Sequence, residues 1–306
     1  MTTVAIQQDQ WFINGAITYP GTRCEGLLMN VRMVNCTFED THRTDFDPDE
    51  NTRRFIAAIP SYRAHGICAF TLCLQGGTPG YEGAVNSAFN RDGSLRADYL
   101  ERVKRVIDAC DQHGIIVLLS CYYQRQDEIL HDADAIRAGV VNTVEWVEGQ
   151  GFAHVVLEVA NEFGHAGFTH GLFKTNEGQV ELVQLAKDTY PELLVSTSGQ
   201  APGAESDRLE NLVDFNLVHL NTTPLENVVG KILPVKKYGK PVICNEDDKL
   251  GADGARCAEL CVDNGVSWGL MQNPVNQTYP FQFDGRADDP EVYDKLKELI
   301  GSNNRR

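Results

Sequence analysis

Val155-Val156-Leu157-Glu158-Val159-Ala160-Asn161-Glu162 is the stretch that decides the fold. It reads as a short buried strand that stops on an Asn-Glu pair. Pro241-Val242-Ile243-Cys244-Asn245-Glu246 has the same form. An apolar run bounded by turn signals suits a strand of a parallel sheet covered on both faces. Each strand delivers a carboxylate at its carboxyl end, where barrels and open α/β sheets place their chemistry. Two carboxylates at the mouth of one barrel are the equipment for cleaving a glycosidic bond. The plainer alternative is an acidic chain in which two Glu residues happen to end strands.

Outward from these strands, the chain alternates. Trp11-Phe12-Ile13-Asn14-Gly15 and Ile17-Thr18-Tyr19-Pro20-Gly21 predict a hairpin around an Asn-Gly turn, placed to cover one end of the core. Strands are expected over 26–35, 66–74, 114–122, 153–161, 193–198, 215–220, 241–245 and 266–271. Helices are expected over 49–65, 95–113, 132–150, 176–190, 207–212, 225–238, 252–264 and 289–300. Eight of each is the (β/α)8 count, so the predicted fold is a single TIM barrel with an N-terminal β-hairpin at about 10–21. The competing architecture is a doubly wound open sheet. No GxGxxG or GxxxxGK[ST] follows any strand, so no phosphate loop supports it. No fixed-period repeat and no linker divides the chain, which predicts one domain over 1–306.

Composition narrows the partners. The 306 residues are 42% hydrophobic and 23% charged, as in an ordinary globular chain. The formal charge of −16 argues against nucleic acid and against anionic membrane surfaces. Met1 to Gln10 holds no basic segment followed by an apolar run, and no stretch approaches the length of a membrane span, so neither signal peptide nor transmembrane helix is expected. Most of the nine cysteines lie inside apolar runs and no CxxC occurs. They read as reduced core residues, which predicts a cytoplasmic protein.

Side chains alternate along a strand, so Glu158, Ala160 and Glu162 share one face. If Glu162 faces the barrel axis, Glu158 lies deeper on the same side and needs a partner. Arg32, in the middle of the first barrel strand, is the candidate, and both are read as structural.

The pattern resembles clan A of the glycoside hydrolases, the cellulase and mannanase type of (β/α)8 enzyme, in particular its family 5-like members. The resemblance rests on Asn161-Glu162 ending strand four, Glu246 ending strand seven, the Glu158-x-x-Asn161-Glu162 spacing and the opening Phe12-Ile13-Asn14-Gly15. As architecture it covers nearly the whole chain, although its specific motifs are short. It implies that Glu162 is the general acid/base and Glu246 the nucleophile of a retaining mechanism. The two carboxyl groups would then lie about 5–5.5 Å apart, with one of them protonated at neutral pH. It also implies that Asn161 contacts the sugar hydroxyl beside the reacting carbon. His219 and Asn221, of equal parity at the end of strand six, would orient the nucleophile or the sugar; the alternative for His219 is a satisfied core histidine. Trp268 on strand eight would floor the sugar site, or else fill the barrel core. Gln272 and Asn273 lead into a loop with Tyr279, Phe281 and Phe283, which would stack on sugars or simply anchor the loop. The sequence departs from the family in three places. Phe163 follows Asn-Glu where many members have Pro. The Arg expected at the end of strand two is absent, with Gln75 nearest. Tyr122, Tyr123 and Arg125 stand where a His usually follows strand three.

Three rivals were weighed. A metal hydrolase would draw on His165 and His170, but no HxH ends strand one and no HExxH occurs. A lyase needs a strand-end Lys for a Schiff base, and no core strand ends in one. A catalytically silent carbohydrate-binding barrel is favoured by the missing Arg and His and opposed by the two strand-end Glu residues. The expectation is therefore a retaining hydrolase of a β-linked oligosaccharide or glycoside, with no metal, organic cofactor, nucleic acid or membrane partner. No oligomeric state is read from the sequence.

Overall fold

The computed structural model describes residues 1–200 and 206–301. It opens on a three-stranded antiparallel sheet of β1 (Val4–Gln7), β2 (Gln10–Ile13) and β3 (Ala16–Ile17). The Asn14-Gly15 turn takes the left-handed conformation at both residues, with φ of 52° and 76°, as a tight hairpin turn requires. The expected hairpin thus forms, with one further strand, Val4–Gln7, that is too short to show a period.

The barrel strands follow, each leading into a helix. They are β4 (Asn30–Arg32), β5 (Ala69–Cys73), β6 (Ile116–Tyr122), β7 (Val155–Ala160), β8 (Val195–Ser196), β9 (Asn216–His219), β10 (Val242–Glu246) and β11 (Gly269–Leu270). The helices are α1 (Pro48–Ala64), α2 (Ala97–Gln112), α3 (Ala133–Gln150), α4 (Asn176–Thr189), α5 (Asp207–Leu212), α6 (Leu225–Ile232), α7 (Gly251–Asp263) and α8 (Pro290–Gly301). Helix starts are set by side-chain caps: Asp47, Asp132, Thr175 and Ser206 accept from the free backbone N–H groups of α1, α3, α4 and α5. The expected helix over 225–238 instead ends at Ile232 and tightens into a 3₁₀ segment over Leu233–Tyr238, because Pro234 cannot donate to the preceding turn.

Six parallel strands pair in the order β11-β4-β5-β6-β7-β8, and β9 pairs with β10. Closure is made by single contacts. Cys244 N donates to Ser267 O at 2.8 Å and Asp247 N to Gly269 O at 3.1 Å, joining β10 to β11. Asp214 N donates to Val195 O at 2.9 Å and Ser196 Oγ to Phe215 O at 2.6 Å, joining β8 to β9. The result is a (β/α)8 barrel. Its floor is an apolar cluster in which Trp11 of β2 meets Phe215 edge-on, with ring centroids 5.4 Å apart, beside Val156 and Ile243. The larger apolar layer lies between strands and helices and takes Leu157 and Val159. On β7 the polar interior positions therefore begin one layer above the floor residue Val156, at Glu158. No helix among the described residues is long and apolar enough to cross a membrane.

Candidate active site

Strand alternation holds along β7 up to Ala160 and is then broken. Asn161 and Glu162 are consecutive, yet both side chains enter one cluster at the barrel mouth. The break is visible at Glu162, whose φ is +54°, a left-handed value that costs a non-glycine residue about 1–2 kcal/mol. β10 has its own irregularity: Cys244 lies opposite Val218 while Glu246 lies opposite His219, so a bulge at Asn245 re-aims Glu246.

These devices bring the two glutamates together. One oxygen of each, with a ring nitrogen of His219, lies within 4.8 Å of the others. His219 Nδ1 is 3.0 Å from Glu162 Oε1 and 3.6 Å from Glu246 Oε2. Arg32 Nη1 reaches Glu246 Oε2 at 3.0 Å, while its Nη2 donates to Asn161 Oδ1 at 3.1 Å. The Nη1 contact lacks hydrogen-bond geometry, so it acts as a charge contact. Asn221 Nδ2 donates to the other oxygen of Glu246 at 2.5 Å. Tyr123 lies alongside, its ring centroid 5.9 Å from the Arg32 guanidinium. Burial pushes its phenol up to about 12, so it stays an O–H at neutral pH.

The structure also places residues that the sequence reading missed or placed elsewhere. Arg32 was expected to pair with Glu158; its ion pair is with Glu246 instead. A guanidinium from the first barrel strand thus meets the strand-seven glutamate, while Gln75 at the end of the second bonds Ser87 and the Gln126 backbone. Glu158 accepts instead from the Ser198 hydroxyl at 2.6 Å. Gln124 was not singled out. It bridges the dyad's neighbours, donating to Glu162 Oε2 and accepting from Asn161 Nδ2, both at 3.4 Å. Its place two residues beyond a barrel strand's end was the available signal.

Two predicted residues lie away from this cluster. Trp268 is fully enclosed in the layer that also holds Cys244 and Cys257, and its indole N–H donates to Asp247 at 2.8 Å, so it offers no open ring face to a sugar. Gln272 donates to the Asp288 carbonyl at 2.8 Å. Phe281 and Phe283 are buried and stack edge-on with Phe38 and Phe55, so they anchor their loop. His165 accepts from Gly167 N in its own loop, and His170 contacts Leu130 O of the segment after β6. Glu162, His219 and Glu246 present three ligand atoms, but the Arg32 guanidinium already brings positive charge to Glu246, so the donor set does not fit a resident dication.

The electrostatics follow from this packing. Burial pushes His219 down, but the charge of Glu246 and the hydrogen bond and charge of Glu162 outweigh it and raise His219 above its ordinary 6.5. Burial pushes Glu162 up, but the His219 hydrogen bond and the charges of His219, Arg32 and His165 leave it below the usual carboxylate value. Glu158, wholly buried, is raised by burial, which Arg32, His219 and Ser198 offset only in part. The contact between them thus raises His219 and lowers Glu162 together.

No protein-family model matches the chain, and no curated protein matches it in sequence. Solved structures do match its fold, among them glycoside hydrolases. A broad-specificity endoglucanase from Clostridium longisporum is 12% identical, with a TM-score of 0.62 over 93% of this chain and 98% of its own. An endo-1,4-β-mannanase from Eisenia fetida is 15% identical, with a TM-score of 0.63 over 99% and 97%. A family 5 lichenase from Caldicellulosiruptor sp. F32, solved with cellotetraose, is 13% identical, with a TM-score of 0.61 over 97% and 98%. The chain therefore shares the (β/α)8 barrel fold of these enzymes.

Two outcomes are expected. Arg32→Met leaves Glu246 buried without its charge partner and should cost about 3–5 kcal/mol of unfolding free energy, read by urea titration; a loss under about 1 kcal/mol would show that the pair is not a keystone. Because its folded pKa is raised, His219 contributes stability that is fully present below its ordinary 6.5 and lost as pH rises through the folded value. Glu162→Gln should shrink that loss, measured as the difference in urea midpoint between pH 6 and pH 9.

Proposed function

We propose that the chain is a retaining glycoside hydrolase of β-linked oligosaccharides or glycosides, built as one barrel, with Glu162 as general acid/base and Glu246 as nucleophile. The observation that carries the reading is the approach of the two carboxyl oxygens to within 4.8 Å at the barrel mouth. Retention calls for carboxyl groups about 5–5.5 Å apart, whereas inversion needs about 6.5–9.5 Å to seat a water. Asn221 and Arg32 engage separate oxygens of Glu246 and fix its aim at an anomeric carbon. Glu162 is the more exposed of the two, its side chain 17% accessible against 7%, as suits the group that meets leaving group and water.

In the proposed reaction, Glu162 gives its proton to the glycosidic oxygen as Glu246 attacks from the opposite face. The C–O bond to the leaving sugar breaks and a glycosyl ester on Glu246 forms. Glu162 then takes a proton from water, which attacks the same carbon and releases Glu246. The 3.0 Å contact between His219 Nδ1 and Glu162 Oε1 offers a path by which a proton reaches Glu162 as a sugar fills the mouth. The β-linked substrate class is supported by the endoglucanase, mannanase and lichenase likenesses. The chemistry takes no metal or organic cofactor. Nine buried, unpaired cysteines support a cytoplasmic setting.

A second reading, a silent sugar-binding barrel, draws on the His219, Arg32 and His165 charges around Glu162, which hold it below the usual carboxylate value, opposite to a resting general acid. Proton NMR of the first turnovers on aryl β-glucosides, aryl β-mannosides and β-1,4 oligosaccharides separates the two. The β-anomer released first supports retention, and the α-anomer first contradicts it. Hydrolysis is expected to fall about 10²–10⁴-fold in Glu162→Gln and to background in Glu246→Gln. Binding without turnover across the panel would select the silent barrel.

A further inference from the structure

Glu162 sits in a backbone conformation that its side chain does not favour, and something must hold it there. The grip comes from the strand beside it. Ser198, just past the end of β8, accepts the Glu162 N–H on its Oγ at 2.9 Å. Its carbonyl accepts the N–H of Phe163 at 2.9 Å, and its own N–H donates to Ala160 O at 3.2 Å. One residue thus takes the backbone on both sides of the left-handed turn. A hydroxyl that accepts an N–H must send its own proton elsewhere, and the Ser198 proton goes to Glu158 Oε1 at 2.6 Å.

That gives the buried Glu158 a purpose. A carboxyl with no accessible surface is costly unless it is engaged. Among the described residues Glu158 has no ion pair within contact distance, and the proposed reaction does not use it. Its position follows from the register: Glu158 lies opposite Ser196, and Ser198 stands two residues further on, just past the end of β8.

We propose that Ser198, oriented by Glu158, is a positioning residue that locks Glu162 into its left-handed conformation and so aims its carboxyl at His219 and the barrel mouth. Neither residue touches the reacting atoms. Without the Oγ acceptor, Glu162 relaxes toward an extended conformation, and strand alternation then carries its side chain away from the mouth.

The catalytic arm of the test rests on the glycosidase reading; the titration arm does not. In the first, Ser198→Ala is compared with the wild type on two aryl β-glycosides. A dinitrophenyl leaving group departs without a proton, so kcat/KM, which reports formation of the glycosyl ester, should change less than about threefold. A leaving group that needs the proton should lose about tenfold to a hundredfold in kcat/KM, as expected when acid catalysis is impaired, and Ser198→Thr should regain most of it. Equal losses on both substrates would mean a general structural effect and would overturn the proposal. In the second arm, the His219 imidazole is titrated by NMR. The charged groups around it are Glu162, Glu246, Arg32 and Glu158. If Ser198→Ala lets Glu162 leave its 3.0 Å contact, the His219 titration falls toward 6.5. An unchanged titration would overturn the proposal even if the wild type hydrolyses nothing, whereas a fall together with no wild-type turnover would retain it and discard the glycosidase reading.

Discussion

The contact between Arg32 and Glu246 is the constraint on which the site depends. It places charge where water is nearly excluded, with the arginine 1% and the glutamate 7% accessible in their side chains. Such a pair gains little for stability over an apolar one of equal shape, but removing one partner is expensive. The pair therefore fixes what its neighbours do. With Nη1 against Glu246, Nη2 is left to hold Asn161, and the strand-one guanidinium ties the ends of strands four and seven together. His219 then completes a compact group in which an imidazole and a guanidinium face Glu162 and Glu246.

Regular strands alone would not build this group. Alternation sends consecutive side chains to opposite faces. Asn161 and Glu162 meet at the mouth because the backbone turns left-handed, and Glu246 reaches it through a bulge. Both irregularities sit at the carboxyl ends of strands, and the barrel below them is regular. The apolar floor around Trp11 and the layer outside β7 supply the stability that irregular strand ends spend.

Much of the architecture was legible in the sequence, for a physical reason. A (β/α)8 barrel buries both faces of its strands, so 155–160 and 242–246 appear as apolar runs between amphipathic helices. The closing strands were legible only as approximate positions. β8 and β11 are two residues each, because contacts such as Ser196 Oγ to Phe215 O do part of the pairing. In the site, Glu162, Glu246 and Asn161 were marked by strand ends and the family resemblance and His219 and Asn221 by their equal parity, and the structure brings them together. Arg32 was visible as a buried charge but was given the wrong partner. Its reach across the barrel, 214 residues along the chain to Glu246, depends on which strands face each other and leaves no mark on local spacing. Trp268 differs for another reason: the resemblance put it under the sugar or in the barrel core, while the residue lies just before β11 in the apolar layer outside the strands, its indole N–H on Asp247.

The central claim is that Glu246 becomes covalently bound to sugar during turnover. The direct measurement is mass spectrometry of the intact and digested protein after incubation with a 2-deoxy-2-fluoro β-glycoside carrying a dinitrophenyl leaving group. The account predicts a single added glycosyl mass on the peptide that contains Glu246, absent in Glu246→Gln. Turnover of unfluorinated substrate without any such adduct, or an adduct on Glu162, would contradict it.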